Sequence, residues 1–188
     1  MNSVYEEPHP IGIFKIYLIG KKGVGKSTFI NSLYPHVTRA SGANTKLTIG
    51  VDLLRYDYPI KPSDKNKFIS FQIWVSNLDR RFEELEYNYL TGSKVILIMF
   101  DISDLSSLNE IDNWMEVIRK GFPKYSVPIM LLGNKADLTD HLEPAKALAD
   151  SLVKKHSLMG YYEISALKSI NVELTFRTMA EIMLKKLS

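Results

Sequence analysis

Short runs of apolar residues alternate along the chain with segments in which apolar residues recur every three or four positions, and this alternation predicts an α/β fold. Phe14-Lys15-Ile16-Tyr17-Leu18-Ile19 reads as the first strand and Ser27 to Tyr34 as the first helix, stopped by Pro35. A polar segment from His36 to Lys46 follows, with Ser41-Gly42-Ala43-Asn44 as loop chemistry. Thr48 to Tyr56 reads as a strand, Lys61 to Lys67 as a long hairpin turn, and Phe68 to Val75 as a returning strand with alternating apolar residues. These two strands are expected to be antiparallel neighbours. A helix is expected around Arg81–Leu90.

Val95-Ile96-Leu97-Ile98-Met99-Phe100 is unbroken apolar sequence, as a parallel strand buried on both faces requires. Leu108, Ile111, Met115 and Ile118 then mark a helix over Ser106–Gly121, with Ser106 or Ser107 as its N-cap and Gly121 as its C-cap. Ile129–Leu132 is a second buried strand. A helix over Pro144–His156, a short strand Tyr161–Ile164 and a last helix Val172–Leu187 complete the pattern. Val172, Phe176, Met179 and Met183 give that last helix its buried face. No repeat or linker divides the chain, so residues 14–188 are expected to form one domain behind a flexible arm, residues 1–13.

Composition narrows the function classes. Of 188 residues, 45% are hydrophobic, enough for a packed core. Lys plus Arg is 24 and Asp plus Glu 21, and the resulting +3 is too weak a bias to argue for nucleic acid. The sequence has no Cys, which excludes disulfides, Cys-ligated metals and a cysteine lipid anchor and suits a reducing compartment. The N-terminus has neither the basic start nor the apolar run of a signal peptide, and no apolar stretch is long enough to span a bilayer. A cytoplasmic monomer is expected.

The chemistry starts at Gly20-Lys21-Lys22-Gly23-Val24-Gly25-Lys26-Ser27-Thr28, which fits the phosphate-loop pattern G-x-x-x-x-G-K-[ST] between a strand and a helix. Glycines let the backbone curl so that N–H groups from Lys22 to Thr28 face anionic oxygens. Lys26 is placed to reach the outer phosphates, and the Ser27 hydroxyl to hold Mg²⁺. Far downstream, Asn134-Lys135-Ala136-Asp137 follows a buried strand, where an open α/β sheet binds its ligand. The Asp137 carboxylate can accept the N1–H and exocyclic N–H₂ of guanine together. Adenine lacks that donor pair, and mismatches of this kind reject a wrong ligand by roughly 10⁴–10⁵. Asn134 and the Lys135 stem would support the loop and cover the ring. A backbone N–H of Ser165-Ala166-Leu167 could bond the guanine O6. Tyr34 and His36 are the aromatics nearest the place where a ring would stack on the base.

These motifs, with Thr48-Ile49-Gly50-Val51-Asp52, Gln72-Ile73-Trp74 and Glu163-Ile164-Ser165-Ala166 in the same order, resemble the small GTPases of the Ras superfamily, most closely the Rab branch. The segment from Asn171-Val172-Glu173 to Phe176-Arg177-Thr178-Met179 is Rab-like as well, so the likeness covers about Phe14 to Leu187. It implies a P-loop NTPase fold with a six-stranded, mostly parallel sheet and helices on both faces. It also implies GTP and GDP as ligands with Mg²⁺, and protein effectors or regulators at the switch regions.

Three departures bear on turnover. The switch threonine that meets Mg²⁺ matches Thr48 by the residues that follow it and Thr45 by its distance from Ser27; Thr48 is preferred. In the second switch, Val75 stands where the resemblance expects an Asp, Leu78 where it expects a Gly, and Asp79 where it expects the Gln that orients the attacking water. Phosphoryl transfer depends on positioning and charge stabilisation, so these changes bear directly on rate. Lys22 precedes Gly23 where a small residue is usual; its ammonium either supplies positive charge to the γ-phosphate or is a solvated lysine on the loop rim. Lys26, Lys22 and Asp79 are therefore the catalytic candidates. The competing functions are a GTP/GDP switch with slow hydrolysis, a non-hydrolysing GTP-binding scaffold, and an ATP-using kinase, the last opposed by the Asn134–Asp137 motif.

Overall fold

The computed structural model describes residues 9–39, 50–61, 64–77, 83–122 and 127–187. The elements are β1 (His9–Ile19), α1 (Lys26–Asn31), β2 (Val37–Arg39), β3 (Val51–Lys61), β4 (Asp64–Ser76), α2 (Glu83–Leu90), β5 (Val95–Asp101), α3 (Ile111–Gly121), β6 (Ile129–Asn134), α4 (Glu143–His156), β7 (Gly160–Glu163) and α5 (Val172–Leu187). They build one sheet of seven strands in the order β2-β3-β4-β1-β5-β6-β7. β4, β1, β5, β6 and β7 run parallel, while β3 lies antiparallel to β4 and to β2. The expected doubly covered α/β fold is present, with seven strands among the described residues instead of six. The extra one is β2, three residues that pair with Arg55, Tyr56 and Leu54 and are too short to show a period.

Alternation in β1 explains the two layers. Ile16 and Leu18 point to one face, where Phe29 of α1 and Phe176, Met179 and Met183 of α5 close the core. Tyr17 and Ile19 point to the other, with Leu90, Trp114, Met115, Ala145 and Ala149 of α2, α3 and α4. Phe176 is the hub of the first layer, its ring 4.9 Å from that of Tyr56, 5.7 Å from Phe29 and 5.9 Å from Phe71. β5 is buried along its whole length, as its unbroken apolar run requires.

Several boundaries move. β1 begins at His9, so residues 9–13, expected in the arm, pair with β4. The register shift between Pro10 and Gly12 accommodates a proline that cannot donate to a ladder. β3 runs to Lys61 and β4 begins at Asp64, so residues 64–67, expected in the turn, belong to a strand; Pro62 and Ser63 lie outside the described residues. α1 ends at Asn31, ahead of Pro35, and bonds spaced three residues apart carry the chain through Leu33 and Tyr34. The helix expected from Ser106 starts as a 3₁₀ segment, Leu105–Glu110, and its cap is neither serine. Asp104 accepts the Ser106 N–H, while the Ser107 hydroxyl turns inward to the Asp104 and Asp101 backbones. Phe122 replaces Gly121 as the C-cap of α3.

Candidate functional site

Parallel strands align their C-terminal ends. Leu18 sits beside Val75, Ile19 beside Ile98, and Asp101 beside Asn134, so Gly20, Asn77, Asp101, Asn134 and Ser165 follow along one edge of the sheet. The phosphate loop leaves β1 at Gly20 (φ +155°), where a Cβ would lie 2.2 Å from the Met99 carbonyl oxygen. It enters α1 through Gly25 at φ +101°, where a Cβ would meet the Asn134 Nδ2 at 2.2 Å. Glycine is required at both positions by close approach, and at Gly25 by its left-handed backbone too.

Lys26 is 7% exposed beneath this loop, and its Nζ donates to the carbonyls of Gly20 at 2.6 Å and Lys21 at 3.2 Å. Burial lowers its pKa to about 8, against the attraction of Glu86 and Glu110. Beside it lies a cleft of about 820 Å³, lined by the loop, Ser27, Thr28, Asn77, Glu110 and Trp114. Ser27, Thr28, Lys22 and Gly23 are exposed, and Val24 anchors the loop in the core. Lys22 stands on the cleft wall.

Asn134, 2% exposed, joins the Gly20–Thr28 loop to the Ser165–Leu167 loop. Its Nδ2 donates to the Val24 carbonyl at 2.8 Å, and its Oδ1 accepts the Ala166 N–H at 2.9 Å. Lys135 adopts φ +68° and pairs with Asp101 at 2.5 Å, turning its stem along the strand ends. Asp137 accepts a hydrogen bond from the Ser165 hydroxyl, which itself accepts the Lys168 N–H at 3.1 Å. The Ser165 N–H is used by the Ile170 carbonyl. A guanine O6 would therefore share the Ala166 N–H or take that of Leu167. Tyr34 and His36 line a separate groove between β3 and α5, not the phosphate cleft.

Thr48, Thr45, Leu78 and Asp79 lie outside the described residues. Val75 is described and buried at 2%, packed with Leu18 and Val24 where it offers no polar atom. Two partners escaped the sequence reading. Asp101, at the end of β5, holds Lys135 and accepts from the Ser103 N–H and hydroxyl. Glu86, 1% exposed on α2, accepts from the Tyr17 hydroxyl at 2.9 Å and the Ser76 hydroxyl at 2.8 Å. Burial raises the Glu86 pKa, opposed by those hydrogen bonds and by the Lys26 charge. The signal was present: Glu86 precedes buried Leu90 by one helical turn, and Tyr17 interrupts an aliphatic strand.

The pattern described as Ras family matches residues 15–185 of this sequence. The chain belongs to the Ras family. Its relatives are Rab-like: bovine (Bos taurus) Ras-related protein Rab-13 is 33% identical over 176 residues, covering 93% of this chain and 81% of the relative. Ras-related protein Rab-10 of Diplobatis ommata is 32% identical over 175 residues, covering 93% and 82%. The Ypt/Rab-type GTPase ypt7 of Schizosaccharomyces pombe is 28% identical over 181 residues, covering 93% and 84%. The match spans the phosphate loop, the Asn134–Asp137 loop and the departures at Val75, Leu78 and Asp79 alike. Among the described residues, no helix of this Ras-family chain is long and apolar enough to cross a membrane.

Proposed function

We propose that this Ras-family chain is a guanine-nucleotide switch that binds GTP and GDP with Mg²⁺ and hydrolyses GTP slowly. The observation that carries the reading is the Asn134 amide, which braces the phosphate loop with one end and the base loop with the other. Two loops from distant parts of the sequence are thereby set as one receptor, with Asp137 at the base end and Lys26 at the phosphate end. A nucleotide phosphate would replace the Gly20 and Lys21 carbonyls as the partner of the Lys26 ammonium. Exchanging two neutral acceptors for an anion favours the charged amine.

The donors present suit magnesium, a hard cation that takes oxygen ligands and keeps several waters. The exposed Ser27 hydroxyl faces the same cleft as Lys26, and Thr48 is the second protein ligand in this reading. The ion, when bound, neutralises phosphate charge. The chain's own residues bind and orient: Lys26 and the loop amides hold phosphate, Asp137 selects guanine, and Lys22 adds a cation at the cleft wall. Asp79, at the position where the resemblance expects a Gln, is the residue that would position water in this reading. Protein effectors would read the switch segments.

The buried Val75 side chain favours a second reading, a scaffold that holds GTP without turning it over. Each hundredfold of lost rate raises the barrier by about 2.7 kcal/mol, so the loss of one positioning group can silence hydrolysis while leaving binding intact. Nucleotide extracted from the purified protein, together with calorimetry on stripped protein in magnesium buffer, tests binding. Heat with GDP and GTP but not with ADP or ATP is expected, and no heat with guanine nucleotides overturns both readings. Single-turnover phosphate release then separates them, because the switch releases phosphate over hours and the scaffold releases none.

A further inference from the structure

We propose that Asn77, held in place by Asp52, supplies the metal-facing polar group that Val75 does not, and so completes the magnesium side of the phosphate cleft. The β3–β4 ladder pairs Asp52 with Val75 and Val51 with Ser76, and one further bond runs from the Asn77 N–H to the Gly50 carbonyl at 2.7 Å. Side chains alternate along this end of β4. Val75 points into the core beside Leu18 and Val24, and Ser76 points to the opposite face and Glu86. Asn77 therefore returns to the face of Val75, just beyond the sheet, where it lines the cleft with Ser27 and Lys26.

Its orientation follows from hydrogen bonding. The Asn77 Nδ2 donates to the Asp52 Oδ2 at 3.0 Å. A carboxylate only accepts, so the nitrogen end of the amide must face Asp52, and the oxygen end is the end left for the cleft. An amide oxygen can coordinate magnesium or accept a hydrogen bond from one of its waters. Asp52 lies directly across the ladder from Val75, so its negative charge stands one strand away from the place where a carboxylate at position 75 would put it. The polar atom and the charge that one Asp would carry are divided here between two residues.

This assignment rests on the guanine-nucleotide reading, and the experiment separates the two. The full chain is loaded with fluorescent GDP, and release is followed from EDTA through millimolar Mg²⁺. Wild-type release is expected to slow as Mg²⁺ is added. Asn77→Ala should raise the Mg²⁺ midpoint about tenfold, the scale of one lost hydrogen-bonding group. Asp52→Ala should shift it in the same direction, and in both variants release should be accelerated more in Mg²⁺ than in EDTA. A wild-type midpoint in Asn77→Ala, or equal acceleration with and without Mg²⁺, overturns the assignment. Wild-type release that is blind to Mg²⁺ overturns it while leaving nucleotide binding standing. Failure of the wild type to hold any guanine nucleotide overturns both.

Discussion

Asp137 concentrates the proposed choice of purine in one carboxylate. Asp137→Asn replaces one of its two acceptor oxygens by a donor while keeping the shape. A hydrogen bond to a charged group is worth about 1.5–3 kcal/mol, so GDP affinity should fall roughly ten- to a hundredfold and ADP binding should stay as weak as before. Calorimetry on both proteins measures this, and unchanged GDP affinity would remove Asp137 from the base site. Glu86 poses a different question at the same scale. Its carboxyl is buried between Tyr17 and Ser76, and burial holds its pKa above the ordinary carboxylate value. The folded chain therefore keeps this proton over a pH range in which the unfolded chain has lost it. That contribution to stability is complete below the unfolded-state pKa and is lost as pH rises through the folded-state pKa. Glu86→Gln has no such proton to lose. Urea unfolding from about pH 4 to about pH 8 should show the wild type losing stability relative to Glu86→Gln as pH rises. The reverse trend would mean that the hydroxyls and Lys26 outweigh burial.

Between elements, Asn134 is the residue on which two loops depend. Asn134→Ala leaves the Val24 carbonyl and the Ala166 N–H without the partners they have now. Each orphaned buried group costs about 1–3 kcal/mol, and nucleotide affinity should fall for GDP and GTP alike because the receptor, not the γ-phosphate, is disturbed. Equal melting of variant and wild type, with unchanged affinity, would refute the bracing role. Asn134 stood out in the sequence as part of a base-reading motif, but its bond to Val24 did not, since contact between distant loops leaves no local period. Elements with a strong period were legible: β5 through its unbroken apolar run, and α5 through Val172, Phe176, Met179 and Met183, all buried. The start of β1 was not, because His9 and Pro10 read as an arm and pair only through an irregular register. Nor was the Asp104 cap, where two adjacent serines offered the more familiar pattern and the side chain that accepts the N–H lies just ahead of them. The buried Glu86 was missed because a glutamate on a helix is ordinarily solvated; only the coincidence of Tyr17 and Ser76 beneath it makes the site polar.

For the whole molecule, the sheet's C-terminal edge is built on strands that serve both core layers. β5 and β6 each end in a residue of the candidate site, and Gly20 of the site follows directly on β1. Ligand at that edge should therefore stabilise the entire fold and not a detached loop. Binding to the native state alone adds about 2.7 kcal/mol at a ligand concentration of a hundred times Kd. A domain of this size gains about 2–4 °C per kcal/mol, so saturating GDP with Mg²⁺ should raise the melting temperature by roughly 5–11 °C in a single transition. ADP should leave it in place, and Asp137→Asn should lose most of the GDP shift while keeping the unliganded melting point. A GDP shift confined to part of the transition would mean that the edge is not coupled to both layers. An equal shift with ADP would mean that the phosphate loop binds without help from the base loop, and the single receptor braced by Asn134 would have to be given up.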